Sequence, residues 1–214
     1  MPVTASPLEP AAVEVDPVWH RLPDGTYTFE PSSDPQDGFL NSIAREILFS
    51  GMYGSGKSVA MVLKAWKLSE YYPRNAGVVL RRHYEDLKIS TLRIFPKLMG
   101  TSAWRRGLIG GEKEPDGFIF PNGSTIDFLG VSGDEKRTQK LKSTEYGWGM
   151  ADEVDELTEN EWEMLLGRLR LKRVPFRQAF GGCNPNSPHH WLYQRFGIKN
   201  GPNRQWESID CPAC

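Results

Sequence analysis

Gly51-Met52-Tyr53-Gly54-Ser55-Gly56-Lys57-Ser58 fills every fixed position of the phosphate-binding pattern G-x-x-x-x-G-K-[ST]. Its flanks suit the pattern. The apolar run Ile47-Leu48-Phe49 precedes it, and Val59, Val62, Leu63 and Trp66 follow at i, i+3, i+4 and i+7, one face of a helix that Pro73 stops. Gly51, Gly54 and Gly56 let the backbone curl so that successive N–H groups converge at a helix N-terminus, where the dipole favours an anion. Ser55 lies among those amides, and Val59 opens the helix face behind them. Lys57 is then placed to reach β- and γ-phosphates, and the Ser58 hydroxyl to ligate Mg²⁺. The bland alternative is a chance glycine-rich turn.

Working outward, 214 residues make one large domain or two small ones. A net charge of −1 gives no global attraction to nucleic acid, so any DNA contact must come from a local basic patch or from a surface this chain lacks. Three cysteines form no disulfide framework, and no apolar run approaches a membrane span. These features predict a cytosolic protein. Cys211-Pro-Ala-Cys214 is half of a zinc pattern without its second pair.

Residues 1–37 carry prolines at 2, 7, 10, 17, 23, 31 and 35 and read as an extended arm. Gln36 is a candidate reader of adenine, because an amide donates and accepts at once; the alternative is a solvated surface glutamine. Gly77-Val78-Val79-Leu80 predicts a second strand, and Tyr84 to Leu98 a helical run. Strand, helix, strand begins a mostly parallel α/β sheet. Asn122-Gly123 between Phe118–Phe120 and Thr125–Leu129 predicts a β-hairpin. Gly133 to Thr144, with Lys136, Arg137, Lys140 and Lys142, reads as a polar loop, either solvated or facing DNA or a neighbour.

Hydrolysis needs carboxylates beside a phosphate cradle. Asp152, at the end of a moderately apolar run, is the candidate metal-side acid and Glu153 the candidate base. Gln178 to Pro185 predicts a short strand ending in a turn, from which Asn184 could hydrogen-bond a γ-phosphate or the attacking water; simple turn chemistry is the alternative.

In order, these stretches resemble the ATPase domain of bacteriophage large terminase subunits: Pro35-Gln36 with Phe39-Leu40, the loop 51–58, the hairpin 120–128, Ala151-Asp152-Glu153, Gly167-Arg168-Leu169-Arg170, and Asn184-Pro185 with His190-Trp191-Leu192-Tyr193. The resemblance implies a RecA-like ASCE P-loop NTPase over residues 38–214, with a parallel sheet flanked by helices and a β-hairpin insertion. It also implies Mg²⁺-dependent ATP hydrolysis that drives double-stranded DNA into a procapsid, in the host cytoplasm. The partners implied are the portal protein, a small terminase subunit and further copies of the chain in a ring, taken as a pentamer, with the isolated chain a monomer.

Many members of that family carry an arginine inside the phosphate loop, where this chain has Met52-Tyr53. Arg168 or Arg170 is therefore the candidate to reach a neighbouring subunit's γ-phosphate; salt-bridged or solvated arginines are the alternative. The family's nuclease domain is expected to be absent from this chain. A P-loop kinase or other phosphotransferase would use the same loop with an acceptor pocket, and a helicase-like DNA-dependent ATPase the same Asp-Glu.

Overall fold

The run ahead of the glycine loop is a strand from which the sheet extends on both sides. The computed structural model describes residues 20–21, 27–28, 34–51, 53–133, 135–184, 187, 189–197 and 206–211. The chain divides into two units, Met1–Ser32 and Ser33–Cys214. In the first, His20–Arg21 (β1) pairs antiparallel with Tyr27–Thr28 (β2); the rest of the proline-rich arm lies outside the described residues up to Asp34, where helix α1 (Asp34–Asn41) starts. Apart from the backbone of Cys211, the Cys211–Cys214 pair also lies outside them.

The second unit continues with β3 (Glu46–Gly51), α2 (Lys57–Tyr71), β4 (Ala76–Arg81), α3 (Tyr84–Ile89), α4 (Ile94–Met99), α5 (Thr101–Gly107) and β5 (Leu108–Ile109). There follow β6 (Gly117–Ile119), β7 (Thr125–Gly130), α6 (Glu135–Ser143), β8 (Trp148–Ala151), α7 (Glu159–Leu166), β9 (Gln178–Cys183) and β10 (Trp206–Cys211). One eight-stranded sheet runs β10-β3-β9-β8-β4-β7-β6-β5. Its first six strands are parallel, and β6 and β5 continue it antiparallel. This is the expected α/β fold with a hairpin, β6–β7.

Alternation along the strands divides the core. Leu48, Val78, Leu80, Ala151 and Ala179 pack with Trp162 and Leu165 of α7, all buried. On the opposite face Phe39 of α1 stacks on Phe49 at 4.8 Å and meets Phe180 edge-on at 5.9 Å. The two glycines that weaken the apolar look of residues 147–151 each have a packing reason: a Cβ at Gly147 would lie 2.0 Å from Asn75 Oδ1, and one at Gly149 2.5 Å from Leu165 Cδ1. The strand trades side-chain bulk for close approach of α7.

Two local expectations change. The helical run from Tyr84 breaks at Ser90, whose hydroxyl takes the Asp86 carbonyl at 2.6 Å and whose backbone leaves the helical region (φ −108°, ψ −93°). A serine that satisfies its own i−4 carbonyl competes with helix propagation. The basic stretch 133–144 is largely helix α6, not loop. Its Arg137 turns inward to donate to the Phe128 carbonyl at 3.0 Å and lies over the Tyr84 ring, 3.5 Å from its centre.

Candidate nucleotide-binding site

The loop between β3 and α2 is shaped by left-handed glycines, Gly54 at φ 80° and Gly56 at φ 74°. Gly56 has a second constraint, since a Cβ there would fall 2.6 Å from Gln36 Nε2. Gln36 is buried in the first turn of α1 and donates to the Ser55 carbonyl at 3.2 Å, so its amide braces the loop. The other end of α1 is tied to α2. Buried Lys64 donates to the carbonyls of Phe39 (2.7 Å), Leu40 (3.3 Å) and Ser42 (3.0 Å), placing a cation where the helix presents its negative end. Ser55 is buried, while Ser58 and Val59 are half-buried in the first turn of α2.

Lys57 is buried and folds back over the loop, donating to the Gly51 carbonyl at 2.6 Å, to Ser55 Oγ at 3.3 Å and to Asn184 Oδ1 at 3.2 Å. The same Asn184 amide donates through Nδ2 to Glu153 Oε2 at 3.3 Å. Strand order explains the bridge. Asn184 follows β9, and β9 lies between β3, which leads to Lys57, and β8, which leads to the acids. All three strands are parallel, so their carboxyl ends converge.

Asp152 follows β8 directly and is buried. Its Oδ2 accepts from Thr91 Oγ1, has a longer contact to Ser90 Oγ at 3.4 Å and lies 3.7 Å from Arg81 Nη1. Burial raises the Asp152 pKa, and the Thr91 hydroxyl and the Arg81 guanidinium oppose that rise. Glu153 occupies the left-handed region (φ 48°, ψ 60°), which costs a non-glycine residue roughly 1–3 kcal/mol and concentrates at functional sites. Its pKa is raised by burial first and by the Asp152 and Asp155 charges next, with Arg81 and Lys57 pulling it back.

Arg168 and Arg170 do not join this cluster. The Arg168 carbonyl accepts from Tyr146 N at 2.8 Å, ahead of β8, which puts both arginines at the amino edge of the sheet. Helix α7 leaves the carboxyl edge and must return the chain to the start of β9, and these residues lie on that return. Arg170 pairs with Glu145 at 3.2 Å, and Arg168 Nε is buried without a hydrogen-bond partner among the described residues.

Sequence reasoning missed the cation that does sit at the acids. Arg81 ends β4, the neighbour of β8, and the register Leu80↔Ala151 sets it beside Asp152. Glu156 grips it at 3.1 Å (Nε) and 2.8 Å (Nη2). The available signal was a charged residue closing an otherwise apolar strand.

Among the described residues no three His, Cys, Asp or Glu side chains gather as a metal cage. The donor chemistry fits a magnesium ion carried in with phosphates, since Mg²⁺ takes hard oxygens, keeps several waters and needs one or two protein ligands. Ser58, in the first turn of α2, and Asp152 supply such oxygens.

The fold is shared with solved structures. The large terminase of a thermophilic bacteriophage superposes with a TM-score of 0.69 at 15% identity over 85% of this chain, and a structure of that same terminase in complex with ADP gives 0.63 at 16%. The chain spans 46% of that terminase's length. The ATPase domain of the Thermus phage P74-26 large terminase matches with a TM-score of 0.62 at 18% identity, over 85% of this chain and 81% of that domain. No curated protein matches the chain. The family model for the phage terminase large subunit matches residues 44–210. The chain therefore belongs to the phage terminase large subunit family.

Proposed function

We propose that the chain binds Mg·ATP on residues 51–58 and hydrolyses it, as the ATPase domain of a motor that translocates double-stranded viral DNA into a procapsid. The observation that carries this reading is the Asn184 amide, which joins Lys57 at 3.2 Å to Glu153 at 3.3 Å. A phosphate-reaching cation, a base and a group able to sense occupancy thus share one hydrogen-bond chain.

The loop amides and Lys57 hold the β- and γ-phosphates. Ser58 and Asp152 would hold Mg²⁺, which when bound neutralises charge developing on the phosphates. Glu153 takes a proton from the attacking water as its oxygen bonds the γ-phosphorus and the bond to ADP breaks, leaving ADP and phosphate. Lys57 gives up Asn184 when it turns to the phosphate, and Asn184 then follows the γ-phosphate. Gln36, whose amide donates to the Ser55 carbonyl of the loop, would link the base to the phosphate cradle.

Arg168 and Arg170, at the amino edge, would serve only a neighbouring subunit's site. This fits a homo-oligomeric ring, taken as a pentamer, on a portal protein in the host cytoplasm, with double-stranded DNA and a small terminase subunit as further partners. The net charge of −1 makes DNA contact a matter of a local surface.

The test is ATP turnover against protein concentration, with and without double-stranded DNA and portal, using Lys57→Ala as the blank. Turnover per subunit should climb with concentration or portal. In Arg168→Ala and Arg170→Ala that climb should be lost while ATP binding stays. Flat turnover that needs a small phosphate acceptor would replace the motor with a kinase.

A further inference from the structure

The acid assigned to the metal is not held by its own strand. Among the described residues, the side-chain contacts of Asp152 fall on Oδ2, and they come from β4 and the segment that follows it: Thr91, Ser90 and Arg81. Ser90 has a single hydroxyl proton, and its closer acceptor is the Asp86 carbonyl at 2.6 Å, against 3.4 Å to Asp152. It therefore serves chiefly as an acceptor for Arg81 Nη1 at 3.0 Å. The donor that fixes the carboxylate is the Thr91 hydroxyl, on a residue only 1% exposed. Arg81 in turn is held two-pronged by Glu156, which leaves its Nη1 aimed at Ser90 and Asp152.

We propose that Thr91 is a positioning residue for the metal site: with Arg81 behind it, its hydroxyl saturates Oδ2 of Asp152 and so reserves Oδ1 for the water shell of the nucleotide-bound cation. The proposal deepens the Mg·ATP reading and rests on it. A carboxylate whose two oxygens are differentiated in advance need not reorient when the cation arrives. Removing an outer-shell partner of this kind commonly costs about 10–100-fold in metal affinity.

The experiment uses the full chain and two conservative changes. Thr91→Val keeps the shape and deletes the hydroxyl; Thr91→Ser keeps the hydroxyl and deletes the methyl. Binding of Mn²⁺ to the protein–ADP complex is followed by electron paramagnetic resonance, and binding of a fluorescent ADP analogue is followed in excess chelator. Thr91→Val should weaken Mn²⁺ at least about tenfold with metal-free nucleotide affinity unchanged, and Thr91→Ser should restore it to within about threefold of the parent. Equal Mn²⁺ affinity in all three proteins overturns the proposal and leaves the nucleotide site standing. A parent chain that binds neither nucleotide nor Mn²⁺·ADP overturns both. Parallel loss of metal-free nucleotide binding in Thr91→Val would show a packing role instead and overturn the proposal.

Discussion

Asn122 is named by the sequence as half of a hairpin turn, and the structure gives it a second task whose cost can be worked out. Helix α2 begins at Lys57 and ends at Tyr71, and Pro73 stands four residues after Ser69. Proline has no N–H, so the Ser69 carbonyl loses its ordinary i+4 donor. Asn122 Nδ2 supplies one at 2.8 Å and reaches the Glu70 carbonyl at 3.1 Å, while its Oδ1 accepts from Ser124 N at 2.9 Å. Each such bond contributes about 0.5–1.5 kcal/mol net, and the Glu70 contact is exposed, so Asn122→Ala should cost about 2 kcal/mol. In a chain of this size that lowers Tm by roughly 4–8 °C.

Asn122→Asp is the sharper variant. It keeps the acceptor for Ser124, loses both donors and sets a negative charge against the negative end of α2. It should destabilise at least as much as alanine, measured by urea unfolding at neutral pH. Nucleotide affinity should hold in both, because the 15 residues of α2 put Lys57 about 22 Å from the cap. A cost of Asn122→Ala below about 0.5 kcal/mol, or an aspartate milder than alanine, would refute the capping argument.

Glu153→Gln should keep ATP binding, since an amide oxygen can still accept from Asn184, and lower single-site turnover by roughly 10²–10⁴; normal turnover would remove Glu153 as the base. Stability should also decline with alkali in a predictable window. Burial pushes the Cys183 thiol from 9.0 up to about 12 and the Tyr84 phenol from 10.0 up to about 12. Both protons are held longer in the folded state, so the stability they contribute is complete below pH 9 and is lost as pH rises toward 12. Cys183→Ala should therefore lose less stability than the parent between about pH 9 and 11 in urea titrations, and an equal or steeper loss would count against the buried thiol as a cause.

The parts of the fold legible in sequence are those written in consecutive residues: the strand and glycine loop before Lys57, the apolar stripe of α2, and the Asn-Gly turn. What sequence leaves out is decided by strand order or by single side chains acting locally. Nothing near Asn184 says that β9 will lie between β3 and β8, yet that order alone makes its amide a bridge. The break at Ser90 rests on one hydroxyl and one carbonyl inside the run from Tyr84 to Leu98. The resemblance singles out Arg168 and Arg170, but a crossover from β8 to β9 must carry the residues after α7 back to the amino edge. The same topology, applied to β4, points to Arg81 at the carboxyl edge instead.

Strand order also accounts for the scale of the site. The groups of interest follow four adjacent strands, β3, β9, β8 and β4, in that order across the sheet. Three inter-strand steps of about 4.8 Å set the strand ends that lead to Lys57, Asn184, the Asp152–Glu153 pair and Arg81 across about 14 Å of the sheet edge. Asn184 stands second in that row and touches the groups on either side of it, at 3.2 and 3.3 Å. In the proposed cycle, a ligand that draws Lys57 away would break the first of those bonds and leave the second, between Asn184 and Glu153, to respond to the γ-phosphate. On the proposed reading the base would be released or kept by the same event that fills the loop, and no movement of the sheet would be required for the first step.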